Sequence, residues 1–207
     1  MTTIKKQDFV EIEYTGRIKE DNTLFDTTEG YSPAVICIGN NHVLNGLEEQ
    51  LIGKEIGKEY TFEISSKNAF GSKNAKLIKL IPTGKFRQQN IQPVPGLQLN
   101  IDGVFGIIKT VSGGRCLVDF NHPLAGKDLT YYVKINRVVD DDKEKLNALL
   151  KMYLHINNAE IEIKEGSAYI KLKGSIPMIA QEELKNIVQE AIPSIKRIDF
   201  TIIEEKK

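Results

Sequence analysis

The stretch from Ile38 to Phe62, IGNNHVLNGLEEQLIGKEIGKEYTF, decides how this chain is interpreted. A strand that runs up to Ile38 stops at Gly39, and Val43, Leu44 and Leu47 then follow with the spacing of one face of a short helix. A helix this short is not stable alone in water, so its apolar face must cover an apolar surface. That surface is either an ordinary small sheet, which the helix plugs, or the wall of a ligand pocket.

The second half of the stretch predicts a return to a sheet. Gly53 ends the helix and Gly57 makes a second turn. Tyr60, Phe62 and Ile64 then alternate, as residues of a strand with one buried face do. A strand, a short helix and a strand are therefore expected in close succession.

Two motifs resemble the FKBP-type peptidyl-prolyl isomerases. The order Val-Leu-x-Gly-Leu-Glu-x-x-Leu from Val43 onwards is similar to the central helix that floors the proline pocket of that family. The segment VEIEYTGRIKEDNTLFDTTEG, which starts at Val10, resembles its opening hairpin. By this resemblance Tyr14 and the pair Phe25-Asp26 occupy positions that line the pocket.

Two further motifs place the chain near one branch of that family. Ala69-Phe70-Gly71 stands where the family has Ala-Tyr-Gly, so one hydroxyl is missing and with it a polar contact worth on the order of 1 kcal/mol. A long insertion follows, and then NHPLAGK from Asn121 to Lys127. This combination is similar to the SlyD-like FKBPs, in which the insertion is the insert-in-flap domain and Tyr131 falls where an aromatic residue closes the site.

The expected fold class is α+β: an antiparallel FKBP half-barrel sheet wrapped on a short helix, a small inserted β domain and a C-terminal ββαβ domain. Hairpin turns are predicted in the insertion at Asp102-Gly103 and Gly113-Gly114. The plan resembles that of the longer archaeal FKBPs. The predicted segments are the isomerase domain at 1–76 plus 123–140, the insertion at 77–122, a linker helix at 141–153 and the C-terminal domain at 154–207.

The function that the resemblance implies is rotation about Xaa-Pro bonds in unfolded or nascent polypeptides, without a cofactor. Twisting the C–N bond removes its double-bond character, so a dry pocket that holds the proline ring and excludes water is enough. Asp26 is the predicted polar rim and Ile36 is expected to lie beneath the pocket. The apolar wall is expected from Tyr14, Phe25, Val43, Leu44, Leu47, Phe70 and Tyr131. Any one of these side chains alone is more often plain core; the set in family order indicates a site.

The insertion suggests a chaperone role beside the isomerase. Exposed apolar side chains and sheet edges there could hold unfolded chain by strand addition and side-chain contact. Each candidate can equally belong to the core of the insertion. The candidates are Ile91, Val94, Leu97, Phe105 and Ile107. Two rivals stay open: a catalytically weak peptide-binding module, which Phe70 and Leu47 favour, and a main role for the C-terminal domain as a homodimer interface or dedicated partner site.

Other classes of function are disfavoured by composition and motif. The 28 basic and 28 acidic residues balance, which predicts no nucleic-acid partner, and no apolar run approaches the roughly 20 residues of a membrane span. The histidines lack ligand spacing and the chain ends in Glu204–Lys207, EEKK, so no metal is expected. Glu48 and Glu49 are interpreted as a solvated helix face. Cys37 and Cys116 are expected as buried thiols of a cytoplasmic protein, since the N-terminus carries no signal peptide.

Overall fold

The structure is a computed structural model that describes residues 2–101, 103–157 and 159–202. Asp102 of the expected Asp102-Gly103 turn and the end at Glu204–Lys207 lie outside this range. The chain forms two compact units. The main unit comprises Met1–Arg17, Asn22–Glu63 and Thr130–Lys207, and the flap unit comprises Ile18–Asp21 and Ile64–Leu129.

The main sheet has five strands among the described residues, in the order β2-β1-β9-β4, with β3 paired to β1 beside β2. Val10 and Ile12 on β1 are fully buried, whereas Glu11 and Glu13, which follow them in turn, point to the other face, as strand alternation requires. The strands are β1 (Phe9–Ile18), β2 (Leu24–Thr27), β3 (Ala34–Cys37), β4 (Glu59–Ile64) and β9 (Leu129–Val138).

Helix α1 (Asn45–Leu51) begins later than the sequence pattern predicts. Leu44 has φ −55° and ψ 134°, which is extended backbone, so Val43 and Leu44 precede the helix instead of forming its first turn. The Leu44 carbonyl already accepts the N–H groups of Leu47 and Glu48, which makes Leu44 the N-cap residue. Leu47 and Leu51 are fully buried, as the apolar face of the helix requires.

The C-terminal part has the predicted ββαβ order. Strands β10 (Glu160–Lys164) and β11 (Ser167–Leu172) form an antiparallel hairpin, and α4 (Met178–Ala191) leads into β12 (Arg197–Ile202), which runs parallel to β11. A helix is the usual crossover between parallel neighbours.

Helix α3 (Asp142–Leu154) joins this C-terminal part to the main sheet. Asp141 caps it, because its carboxylate accepts the Glu144 N–H at 2.8 Å, as the aspartate run predicts. Buried residues of α3 share one hydrophobic core with Phe9 of β1, Cys37 of β3 and the C-terminal strands. Residues 141–153 are therefore an integral packing element of the main unit and not an independent connector.

The flap unit holds an antiparallel sheet in the order β5-β8-β7-β6. Strand β5 and helix α2 are regular elements of the insertion that were not predicted from the sequence. Phe86 of α2 explains the helix, because it is 3% exposed and lies in the core with Leu99, Ile108, Cys116 and Val118. The elements are β5 (Ile78–Pro82), α2 (Thr83–Gln88), β6 (Gln98–Ile101), β7 (Val104–Ser112) and β8 (Arg115–Asp119).

Asn121, the first residue of the NHPLAGK motif, joins the chain segment that follows β8 to the segment that precedes β5. Its side-chain oxygen accepts the Asn74 N–H at 2.8 Å and its amide donates to the Asn74 carbonyl at 3.1 Å. The same amide donates to Asp119, which is itself buried. The α+β fold class is confirmed. Within the described part of the chain, none of the helices has the length and apolar character needed to cross a membrane.

Candidate active site

Three aromatic rings and one carboxylate meet on the main sheet. The ring of Tyr131 lies 5.6 Å from that of Phe25, nearly edge-on at 87°, and 6.0 Å from that of Tyr14. The Tyr14 hydroxyl donates to Asp26 Oδ2 at 2.9 Å. We call Tyr14, Phe25, Asp26 and Tyr131 the Tyr14 cluster. The structure thus brings together half of the eight side chains that the sequence assigns to the pocket.

The β1–β2 pairing fixes two sides of the cluster. The Tyr14 N–H donates to Thr28 Oγ1 at 2.8 Å, and the Thr28 N–H donates back to the Tyr14 carbonyl at 2.9 Å. The hydroxyls of Thr15 and Thr27 lie 3.0 Å apart. These bonds set the register of β2, in which Asp26 pairs with Gly16 and Phe25 lies at the irregularity between Gly16 and Arg17.

Gly16 is a residue of this site that was not among the predicted site residues. A Cβ atom at this position would lie 2.7 Å from Phe25 Cζ and 3.0 Å from Tyr131 Cε1, closer than side chains approach. Glycine therefore leaves the space in which the two rings meet. The signal was present, since a glycine inside a strand often marks a close approach.

The cluster keeps its phenols protonated. Burial, followed by the charge of Asp26 and the hydrogen bond to it, raises the pKa of Tyr14 to about 12. Burial, with smaller contributions from Asp26 and Tyr14, also raises the pKa of Tyr131. Both side chains are thus neutral at physiological pH, and Tyr14 acts as a hydrogen-bond donor and not as a base.

The remaining main-unit candidates lie around α1. Val43 and Leu44 are half-buried in the loop before the helix, and Leu47 is fully buried within it. Ile36 on β3 is 1% exposed, which suits the expected position beneath a pocket and equally an ordinary core position.

Glu48 corrects the expectation of a solvated acidic face. It is only 5% exposed, and its two carboxylate oxygens accept the backbone N–H groups of Gly39 and His42, each at 3.1 Å. Glu49 is exposed as expected. The helical spacing did not reveal this, because the loop that folds back over Glu48 is not part of the helix. The carboxylate holds the loop that carries Val43 and Leu44.

Phe70 lies in the flap unit, where its ring stacks on that of His122 at 4.3 Å with an interplanar angle of 4°. The Leu124 N–H donates to His122 Nδ1 at 3.2 Å. His122 belongs to the NHPLAGK motif, so the motif supports the phenylalanine that replaces the tyrosine of the family.

The five candidates of the insertion divide by exposure. Val94 and Phe105 are 47% and 44% exposed. Ile91 and Leu97 are half-buried against the core of the flap unit, and Ile107 is half-buried on β7. None of the five lines the apolar groove of about 570 Å³ beside β5. This insertion groove is lined chiefly by Leu77, Leu80, Ile81, Phe86, Val104 and Phe120.

The two most exposed apolar residues of the insertion groove were not among the predicted binding residues. Leu80 on β5 is 62% exposed and Val104 on β7 is 52% exposed. Leu80 belongs to the LIKLIP run at 77–82, in which apolar and polar residues do not alternate, so the sequence pattern did not indicate an apolar side chain that faces outwards. Val104 directly follows the expected hairpin turn.

Two other kinds of reactive site, metal centres and thiolates, bear on the chemistry of the described side chains. No group of three or more histidine, cysteine, aspartate or glutamate side chains that could hold a metal occurs in residues 2–101, 103–157 and 159–202. Cys37 and Cys116 are free and buried, and burial raises the pKa of Cys37 to about 11, which disfavours a reactive thiolate. The Tyr14 cluster offers an apolar aromatic wall with one carboxylate at its edge.

Comparison with protein families gives two matches, which overlap at residues 79–88. A family described as FKBP-type peptidyl-prolyl cis-trans isomerase matches residues 1–88. A family described as FKBP26, IF domain matches residues 79–124. The second match falls on the sheet of the flap unit.

Three relatives illustrate the similarity. A probable FKBP-type 16 kDa peptidyl-prolyl cis-trans isomerase of Pseudomonas fluorescens is 33% identical over 131 residues, 61% of this chain and 85% of that protein. A short-type peptidyl-prolyl cis-trans isomerase of Methanocaldococcus jannaschii is 29% identical over 153 residues, 68% of this chain and 98% of that protein. The SlyD isomerase of Vibrio cholerae is 32% identical over 120 residues, 56% of this chain and 59% of that protein.

These relatives agree with the motifs that the sequence carries. The SlyD match confirms the expected SlyD-like branch, and the match to the M. jannaschii protein fits the resemblance to archaeal members. The chain belongs to the FKBP-type peptidyl-prolyl cis-trans isomerases, with an insert-in-flap domain.

Proposed function

We propose that this protein catalyses rotation about Xaa-Pro bonds in unfolded or nascent polypeptides and that the Tyr14 cluster is the centre of its proline pocket. The observation that carries the proposal is the contact of Phe25 and Tyr14 with Tyr131, beside a carboxylate, in a chain of this family. Val43, Leu44 and Leu47 complete the proposed wall, with Ile36 behind it, and Phe70 of the flap unit is a further proposed site residue on the resemblance to the family.

The proposed mechanism needs no covalent step and no cofactor. The uncatalysed barrier of about 18–20 kcal/mol comes from amide resonance, which water favours because the planar amide is the more polar form. Aromatic rings around the proline exclude that water. The twisted amide is less polar than the planar one, so it loses less hydration free energy in the pocket and is favoured there. The Asp26 carboxylate, held by the Tyr14 hydroxyl, is the polar group that orients the peptide at the rim.

A protease-coupled assay on short Xaa-Pro peptides tests the proposal. The wild-type protein is expected to accelerate isomerisation, and Tyr14→Ala is expected to lower kcat/KM by about tenfold or more while the circular dichroism spectrum is kept. A rate equal to that of buffer for the wild type, or full activity of a folded Tyr14→Ala variant, would remove the proposal.

The second candidate is a peptide-binding module with weak or no catalysis. It is favoured by Phe70, which lacks the tyrosine hydroxyl, and by Leu47, which offers a smaller floor than an aromatic ring. The same assay separates the two functions, because a silent wild-type protein that still binds proline-containing peptides is the outcome that this candidate requires.

We further propose that the predicted insertion, 77–122, holds unfolded chain on which the isomerase domain of the same molecule acts. The support is its open apolar surface: Leu80, Val104 and Phe105 are 62%, 52% and 44% exposed. Lys79 and Lys85 also line the insertion groove. Because the insertion and the isomerase domain are parts of one chain, a held polypeptide meets the pocket at a raised effective concentration.

The proposed setting is the cytoplasm, where buried free thiols such as Cys37 and Cys116 stay reduced. A homodimer through the C-terminal domain, 154–207, is also proposed, because Met178 and Ile179 at the start of α4 are 78% and 75% exposed. Sedimentation of the wild type against Ile179→Glu tests the dimer, and an unchanged monomer mass for both would exclude it.

A further inference from the structure

His42 lies where the loop before α1 meets helix α3. Its Nδ1 accepts the Cys37 N–H at 2.9 Å, and its Nε2 lies 3.1 Å from the hydroxyl of Tyr153 on α3. The two rings also meet edge to face, with centroids 5.7 Å apart at 69°. One imidazole thus connects the end of β3, the loop and a helix that follows the whole isomerase domain in the sequence.

These contacts define the state of the imidazole. Because the Cys37 N–H points at Nδ1, that nitrogen carries no proton, so the single proton sits on Nε2 and is donated to the Tyr153 oxygen. Burial lowers the pKa of His42, which favours this neutral form. The imidazole therefore acts as a fixed bridge with one acceptor and one donor.

The loop that His42 fixes carries two proposed pocket residues. The His42 N–H donates to the buried carboxylate of Glu48, which also accepts the Gly39 N–H. Val43 and Leu44 follow immediately in the sequence. The residue directly before them, His42, is thus held at its backbone N–H by Glu48 of α1 and at its side chain by the Cys37 N–H and by Tyr153 of α3.

We propose that His42 is a positioning residue for the proline pocket and that Tyr153 of α3 sets its orientation, so that the segment after the isomerase domain controls how well the pocket binds. The inference rests on the proposed function. The loop supports the wall that contacts the proline ring in both the planar and the twisted state. A looser loop therefore weakens binding of both states, which raises KM and leaves kcat nearly unchanged.

The test compares Tyr153→Phe, His42→Asn and His42→Ala in the full-length protein on one Xaa-Pro peptide. Tyr153→Phe removes one hydrogen bond and is expected to raise KM about threefold, and His42→Ala, which also leaves the Cys37 N–H unpaired, about tenfold. His42→Asn keeps an acceptor near Cys37 and is expected to recover part of the loss. Tyr169→Phe, at a tyrosine of equal exposure on β11 (40% against 39%), is the matched control.

A purely structural role gives a different result. Partial unfolding lowers the amount of active protein, so kcat per total protein falls while KM stays constant. That outcome, or an unchanged KM in both Tyr153→Phe and His42→Ala, would overturn the proposal. Where His42→Ala does not fold, Tyr153→Phe and His42→Asn decide in the same way.

Nuclear magnetic resonance separates this inference from the proposed function. The wild-type protein is expected to show an unprotonated Nδ1 at His42, and Tyr153→Phe is expected to shift the methyl signals of Val43 and Leu44. If the wild type turns over no peptide, the proposed function fails, yet these shifts still decide whether α3 positions the loop. Unmoved methyl signals would refute the positioning role by themselves.

Discussion

The Tyr14 cluster and the insertion groove are both apolar surfaces, but they are built differently. In the cluster the rings of Phe25 and Tyr14 contact Tyr131, and a hydrogen bond ties Tyr14 to Asp26. The insertion groove presents aliphatic side chains such as Leu80 and Val104 on strands, at more than half exposure. The first surface has one fixed shape, suited to a single ring. The second is open, suited to many sequences.

Loss of an aromatic wall is expected to give the largest effect. Phe25→Ala removes the ring that meets Tyr131 edge-on, so kcat/KM for a short Xaa-Pro peptide is expected to fall about tenfold or more. The same variant is expected to bind an unfolded, proline-free protein as the wild type does. Normal turnover by a folded Phe25→Ala protein would contradict the assignment of the cluster.

Removal of the insertion is expected to reverse this pattern. Replacement of residues 77–122 by a short loop is expected to leave peptide turnover within about twofold and to slow catalysed refolding of a proline-limited protein about tenfold, because the held-chain concentration is lost. The matched point variant is Leu80→Ser with Val104→Ser, and Ile52→Ser, at a residue 45% exposed in the main unit, is its control. Equal losses on both substrates would argue against a separate holding surface.

Restoring the family hydroxyl is expected to give a smaller gain. Phe70→Tyr adds a donor worth about 1 kcal/mol, so kcat/KM for peptides is expected to rise up to about fivefold. The substitution keeps the aromatic ring, so the stack on His122 is expected to be retained. A decrease in activity would indicate that Phe70 is fixed by its contact with His122 and not by the substrate.

The smallest effect concerns alkaline stability. The pKa of Tyr14 is raised from 10.0 to about 12, so the folded chain holds this proton more tightly than the unfolded chain. The resulting stability is fully present below pH 10 and is lost as the pH rises from 10 to about 12. The free energy of urea unfolding is therefore expected to fall less steeply over this range in Tyr14→Phe than in the wild type. Tyr31→Phe, at an exposed tyrosine, is the control, and parallel slopes would contradict the role of the Tyr14–Asp26 bond.

Sequence patterns predicted the elements with strong local signals. Residues 9–14 alternate as a half-buried strand does, Asp140–Asp142 offer an N-cap and acidic charge for a helix, and Pro177 can open a helix; β1, α3 and α4 are found at these places. Each of these signals depends on residues that are close together in the sequence, so each could be recognised before the fold was known. The same holds for the ββαβ order of the C-terminal part.

Features that depend on distant segments could not be predicted in this way. Glu48 is buried because the loop after β3 returns over it, and Gly16 matters because Phe25 and Tyr131 meet above it. Helix α2 was missed because six residues, TGKFRQ, carry one apolar anchor, Phe86, whose burial depends on the strands of the insertion. In each case the deciding partner is remote in sequence.

The shared core of the main unit joins segments that are synthesised at very different times. Phe9 on β1 lies in one core with Leu146, Ile170 and Ile198, which follow it by more than a hundred residues in the sequence. Its strand β1 also pairs with β9, which is made more than a hundred residues later. Contacts so far apart along the chain form late and slowly. Strand β1 therefore remains without its final neighbours until α3 and the C-terminal strands have been synthesised, so this isomerase completes the core of its own main unit only after those segments have left the ribosome.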